Sequence, residues 1–273
     1  VVIREPEQTD VKTPVRGTLL AAKPLTMEDQ ETAETPLSEA AVTAVTLKDS
    51  AGRVYFDSSA AVTGAVSVKP DTGEALNDLT ARTDVTAAAR IACFHDPKAA
   101  NADVEGMGLK NTGGYIFYDG NNGNWLDPSK PAARQYLCTL AAELAQQGFD
   151  EILLTDVGYP TVGKLDKIDY NGADRAASIR LFLEELRSAL GEYGVAVSIE
   201  LPPEVITSGA DDTAGLVLSD IAPLVDRVYA VTTVDQIPAL EAAVSAAGED
   251  TDFVAELTGH SPDVTGSCLI LAD

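Results

Sequence analysis

Residues 129–157 read SKPAARQYLCTLAAELAQQGFDEILLTDV, and this stretch decides the fold. Ser129 and Pro131 are helix-start residues. Leu137, Leu140, Ala141 and Leu144 then recur at helical spacing, before Gly148 and Phe149 supply a C-cap with a hydrophobic follower. At Ile152 the period changes, and 152–157 is an apolar run of strand length. The same alternation extends to both sides. Apolar runs at 15–22, 41–47, 90–94, 195–201, 227–232, 253–257 and 268–271 complete a set of eight strand candidates. Helical patterns lie between them: Ile179, Phe182, Leu183, Leu186 and Leu190 mark one, Pro238, Leu240 and Val244 another, and 76–89 a weaker one. Eight strands separated by helices predict an α/β protein, a TIM (β/α)8 barrel. The span 258–267 is too short for a full crossover helix, so the last quarter is expected to be irregular.

Residues 1–13 are polar and aperiodic and read as a flexible tail or linker, leaving 14–273 as a single barrel. Two long loops follow the second and third strands. The first, 52–68, contains a strand-like 53–56. The second, 97–128, holds Tyr115 to Tyr118, an Asn122-Gly123 turn signal and Trp125, which together suggest a hairpin. Both leave the C-terminal ends of strands, the face on which barrel active sites are built.

Composition excludes several classes of function. The 273 residues carry 45% hydrophobic side chains, with 19 Lys and Arg against 43 Asp and Glu, a formal charge of -24. Such a charge repels polyanions, so neither nucleic acid nor an anionic membrane surface is an expected partner. No apolar run reaches the ~20 residues of a membrane helix. Two histidines, His95 and His260, and three cysteines among apolar neighbours give little material for a metal centre. No metal or cofactor is expected, and no G-x-S-x-G elbow supports a hydrolytic triad. Catalysis, if present, rests on carboxylates.

Strand parity sorts the candidates. On the fifth strand Val197, Ile199 and Leu201 face the helices, leaving Ser198 and Glu200 inside. On the seventh, Phe253, Ala255 and Leu257 face outward and Glu256 inward. Ala44, Thr46 and Lys48 share one face of the second strand; Arg90, Ala92, Phe94 and Asp96 share one of the third. Glycoside hydrolysis needs one protonated and one ionised carboxyl, and Glu200 and Glu256 form a candidate pair for that work. A structural network of the two with Arg90 or Lys48 is the alternative. Tyr118, Trp125 and Tyr159 are candidate sugar contacts at the mouth, and Lys48, Arg90 and Asp96 would shape the pocket.

Several segments resemble a bacterial family of TIM-barrel proteins regarded as glycoside hydrolases and distantly similar to the alpha-amylase barrel. They are Pro14-Val15-Arg16-Gly17 (its opening strand), Leu47-Lys48-Asp49-Ser50-Ala51-Gly52 (its V-K-D-D-S-G), Ala89-Arg90-Ile91-Ala92-Cys93-Phe94-His95-Asp96 (its I-A-R-I-V-V-F-K-D), Trp125-Leu126-Asp127-Pro128 (its W-x-D-P) and Gly148-Phe149-Asp150-Glu151-Ile152 (its G-F-D-E-I). The resemblance implies a polysaccharide or oligosaccharide partner and, with the missing initiator Met, an extracellular or cell-surface setting. The chain also departs from the family. The aspartates of its second strand and of its Q-F-D-Y-V-R-F-P segment fall on Thr46 and Thr155, and that segment's arginine falls on Gly158. Asp156 stands one place late, pointing away from the interior unless a bulge turns it back. Three readings follow: a hydrolase using Glu200 and Glu256 with Asp156 as assistant, a barrel that binds glycan without cleaving it, or a structural module of an exported protein.

Overall fold

The computed structural model describes residues 15–32, 41–258, 264 and 266–271, so the expected tail and His260 lie outside the described residues. Eight parallel strands close into a barrel: β1 (Arg16–Leu20), β2 (Ala41–Lys48), β3 (Val85–Ala92), β4 (Glu151–Thr155), β5 (Ala196–Glu200), β6 (Arg227–Val231), β7 (Asp252–Thr258) and β8 (Cys268–Leu271). Each pairs with its chain neighbour, and β8 returns to β1 in the register Arg16↔Cys268 to Leu19↔Leu271. The connections carry α1 (Met27–Thr32), α2 (Thr72–Ala81), α3 (Pro97–Ala102), α4 (Pro131–Gln147), α5 (Arg175–Leu190), α6 (Pro203–Ser208), α7 (Leu218–Ile221) and α8 (Ile237–Ala247). The chain is a (β/α)8 barrel, and none of its described helices is long and apolar enough to cross a membrane.

The decisive stretch folds as its punctuation dictates. Pro131 opens α4 in its first turn, where a missing N–H costs nothing. Gly148 closes it at φ +103, its N–H reaching the Ala145 carbonyl while the Phe149 N–H reaches that of Leu144. These two bonds are a Schellman cap, and Phe149 buries behind it. The chain then enters β4, buried along its whole length.

Alternation divides each strand between two cores. Val15, Leu19, Val42, Ala44, Ala88, Leu153, Tyr229, Val254 and Leu269 fill the barrel, whereas Val197, Ile199, Leu201, Phe253, Ala255 and Leu257 pack outward beneath the helices. The floor of the barrel is polar. Glu151 is fully buried and accepts hydrogen bonds from the Tyr229 hydroxyl at 2.9 Å and the Ser198 hydroxyl at 2.5 Å, with the Arg227 guanidinium at 2.6 Å. A buried carboxylate is tolerable only when paired and hydrogen-bonded in this way.

Some expectations are corrected. The expected helix over 76–89 is α2 followed by the first half of β3, beginning at Val85. Ala87 and Ala89 pack outward and Ala88 inward, so burial on both faces overrides alanine's helix preference. The strand-like 53–56 makes only isolated bridges through Val54, and the hairpin over 97–128 is a loop opened by α3 and pinned by the bridges Lys110↔Ile116, Gly108↔Leu126 and His95↔Trp125. The three cysteines are buried and free.

Candidate active site

The C-terminal ends of β3, β4, β5 and β7 bring Arg90, Asp156, Glu200 and Glu256 together. Arg90 and Glu200 lie on the interior columns of β3 and β5, and the guanidinium meets the Glu200 carboxylate at 2.6 Å. Burial works against the Arg90 charge, but the carboxylates of Glu200, Glu256 and Asp156 outweigh it and raise its pKa.

Asp156 reaches the mouth through its backbone. By strand alternation Thr155 faces inward after Leu153, and Asp156 would face the helices. Instead Asp156 takes φ +49, a left-handed conformation that aspartate tolerates better than most residues, and its side chain lines the mouth cavity. Burial pushes its carboxyl up, the charge of Glu200 adds to this, and His95, Arg90 and Lys48 oppose it.

That cavity has a volume of about 340 Å³ and is bordered by Trp125, Asp156, Tyr159, Glu200, Glu204 and Asp211 among others. Trp125 is fixed from two sides. Its indole N–H donates to Asp119 at 2.9 Å, and its ring stacks on His95 with centroids 4.6 Å apart and planes 14° apart. Asp119 also accepts from the N–H groups of Asn121 and Gly123, and a side chain at Gly123 would collide with His95. Tyr159 borders the cavity but is otherwise packed into a small core with Leu109, Phe117 and Ile168.

Glu256 sits deeper. It is fully buried and does not border the cavity; no amide, hydroxyl or basic side chain among the described residues bonds to it, and its carboxyl is hydrogen-bonded to that of Glu200. Burial and the nearby charge of Glu200 push its carboxyl up to about 8, against the pull of Arg90. A carboxyl that gains protons on folding stabilises the fold below its unfolded pKa and loses that contribution as pH rises through the folded value. Glu256→Gln is therefore expected to leave the melting temperature nearly unchanged at pH 5 and to raise it at pH 9, by about 1–3 kcal/mol of stability. An equal shift at both pH values would show that Glu256 carries charge throughout.

Lys48 and Asp96, expected to shape the pocket, instead brace the barrel. The Lys48 ammonium lies 2.9 Å from Asp96 and 2.6 Å from the Ala92 carbonyl, and both side chains are fully buried. Asp96 also caps α3 through the Ala99 N–H. The cause lies in the strands: the β2 register shifts between Thr46 and Lys48, and β3 ends at Ala92, so Phe94 packs outward against Phe182 of α5. Tyr118 is 54% exposed and does not border the cavity. Sequence reasoning missed Glu204 and Asp211. Their signals were the Pro202-Pro203 step just beyond Glu200, which starts α6, and the turn residues 211–215. Among the described residues no group of three or more His, Cys, Asp or Glu is arranged to hold a metal ion.

Residues 32–232 match the model of a family described as "Putative glycosyl hydrolase domain". None of the curated proteins matches the sequence. Among solved structures, a hypothetical protein from Ruminiclostridium thermocellum ATCC 27405 is similar at 26% identity with a TM-score of 0.52, over 59% of this chain and 84% of that one. The glycoside hydrolase domain of PgaB (BpsB) from Bordetella bronchiseptica shares the fold at 16% identity and a TM-score of 0.63, over 90% of this chain and 84% of that one. Ega3 from Aspergillus fumigatus, solved in complex with galactosamine, shares it at 10% identity and a TM-score of 0.50, over 92% and 82%.

Proposed function

From the premise that the chain belongs to the family described as "Putative glycosyl hydrolase domain", we propose that it hydrolyses O-glycosidic bonds of a polysaccharide or oligosaccharide with Asp156 and Glu200. One observation carries the reading: the two carboxyls border one cavity in opposite electrostatic settings. Asp156 is held toward its protonated form by burial, whereas Glu200 is ion-paired to Arg90. A protonated acid facing an ionised carboxylate is the division of labour glycoside hydrolysis requires. Asp156 donates its proton to the leaving oxygen as that oxygen's bond to the sugar carbon breaks, the Glu200 carboxylate takes a proton from a water whose oxygen bonds to the same carbon, and exchange with solvent returns Asp156 to its protonated form. Trp125 offers a ring face to the sugar, and its stack on His95 keeps that face oriented. Glu256, buried and hydrogen-bonded to Glu200, is held toward its protonated form.

The cavity border carries four carboxyl groups, from Asp156, Glu200, Glu204 and Asp211, and no basic side chain. Such a border favours a sugar bearing an ammonium group over a uronic acid. The galactosamine bound to Ega3 agrees with this preference. A polysaccharide substrate places the working protein outside the cell or at its surface. The second reading, binding without cleavage, draws on Thr46 and Thr155, which are buried where the resembled family has aspartates.

The test is incubation with starch, cellulose, xylan, pectin and chitosan, counting new reducing ends. Cleavage of chitosan, abolished in Glu200→Gln, is the expected result. Retention on chitosan without new reducing ends from any polymer would establish the non-cleaving reading instead.

A further inference from the structure

The short ladder of Ala210–Asp211 against Leu216–Val217 stands as a wall between two hollows. Asp211, Ala214 and Leu216 border the mouth cavity. Their chain neighbours Asp212, Gly215 and Val217 border a second hollow of about 580 Å³, closed on its other side by Tyr170 and the start of α5. The wall is pressed tightly onto that helix. Gly215 takes φ +75, and a Cβ there would come within 2.8 Å of Arg175. An edge-to-face pair links the two hollows, with the ring of Tyr159 5.5 Å from that of Tyr170.

The second hollow contains an unusual cation for so acidic a protein. The Arg175 guanidinium lies 4.9 Å from the centre of the Tyr170 ring, and among the described residues it has no ion pair and no hydrogen bond to a side chain. Asp174 borders the same hollow, but its carboxylate is occupied in capping α5 through the Ala177 N–H. Ring stacking thus holds the guanidinium in place with its five donors unspent.

We propose that this hollow is a second carbohydrate subsite, taking the part of a glycan chain that extends past the wall from the mouth cavity. The inference rests on the function proposed above and assigns it a longer substrate. A sugar ring offers what the hollow lacks: adjacent hydroxyls to accept from Arg175, hydroxyl donors for the exposed Asp212, and a C–H face for Tyr170. The carboxylates of Asp174 and Asp212 outnumber the single Arg175 guanidinium, which disfavours a polyanionic chain, so the chain taken is neutral or ammonium-bearing.

The experiment titrates the full chain carrying Glu200→Gln, which prevents turnover, with the hexamer and the trimer of β-1,4-linked glucosamine by calorimetry. The hexamer should bind about tenfold more tightly than the trimer. Arg175→Ala and Tyr170→Ala should each remove most of that advantage. Because Tyr170 is partly buried, Asp212→Ala at an exposed position provides a variant that cannot act through unfolding, and it should reduce the hexamer advantage as well. Equal affinity for the two oligomers, or an advantage that survives all three substitutions, would overturn the subsite. Failure of the wild-type chain to cleave any polymer while the hexamer advantage persists would sink only the hydrolytic reading and leave the subsite standing.

Discussion

Asp156→Asn is expected to lower kcat on the cleaved glycan by about 10²–10⁴-fold, the range for losing a general acid, without lowering the melting temperature. The substitution isolates the proton because asparagine enters the left-handed region as readily as aspartate, so the φ of +49 is kept without added strain. Asp156→Ala would remove the carboxyl and strain the backbone together, and is the poorer test. The pH profile supplies a second readout. The donor works only while protonated, and burial raises its pKa, so activity should fall as pH rises through that raised value. In the Asn variant this alkaline limb should vanish. Activity within about threefold of wild type, with the limb intact, would remove Asp156 from the chemistry.

The second large effect concerns folding. Asp96→Ala leaves the Lys48 ammonium buried with only a carbonyl for company, and breaking a buried pair in this way costs about 3–5 kcal/mol. It also removes the cap of α3, worth about 1 kcal/mol more. At roughly 2–4 °C per kcal/mol for a domain approaching this size, the melting temperature should drop by on the order of 10 °C. Replacing both partners, as Lys48→Met with Asp96→Asn, should cost less than Asp96→Ala alone, since no uncompensated charge remains. Urea denaturation of the two variants beside the wild type measures this directly. A loss under about 1 kcal/mol for Asp96→Ala would mean that water or a neighbour takes over the lysine.

The barrel was legible because its strands are marked by apolar runs and β-branched residues, and because parity held on straight strands. That rule placed Glu200 and Glu256 on interior columns and Val197, Ile199 and Phe253 under the helices. It failed wherever a strand stopped being regular. Lys48 lies beyond the register shift in β2, Asp96 beyond the end of β3, and Asp156 on a single left-handed residue, so an alternation rule could not follow any of the three. The Ala-rich start of β3 misled for another reason: side chains that small are compatible with either period until neighbours cover both faces. Glu204 and Asp211 come from connections whose path is set by packing against α5 and the mouth, not by a local pattern. Depth was also invisible. Glu200 and Glu256 look alike on their strands, yet one borders the cavity and the other is sealed behind it.

The polar floor built on Glu151, Ser198, Arg227 and Tyr229 has a bearing on how this barrel can change. Glu151 opens β4 and Asp156 follows its last residue, so the length of the strand, about 16 Å at ~3.3 Å per residue, separates them. Groups so far apart, with no shared partner, contribute to stability nearly independently. Closure of the barrel is thus secured at one rim and chemistry exposed at the other, which leaves the mouth open to exchange by mutation.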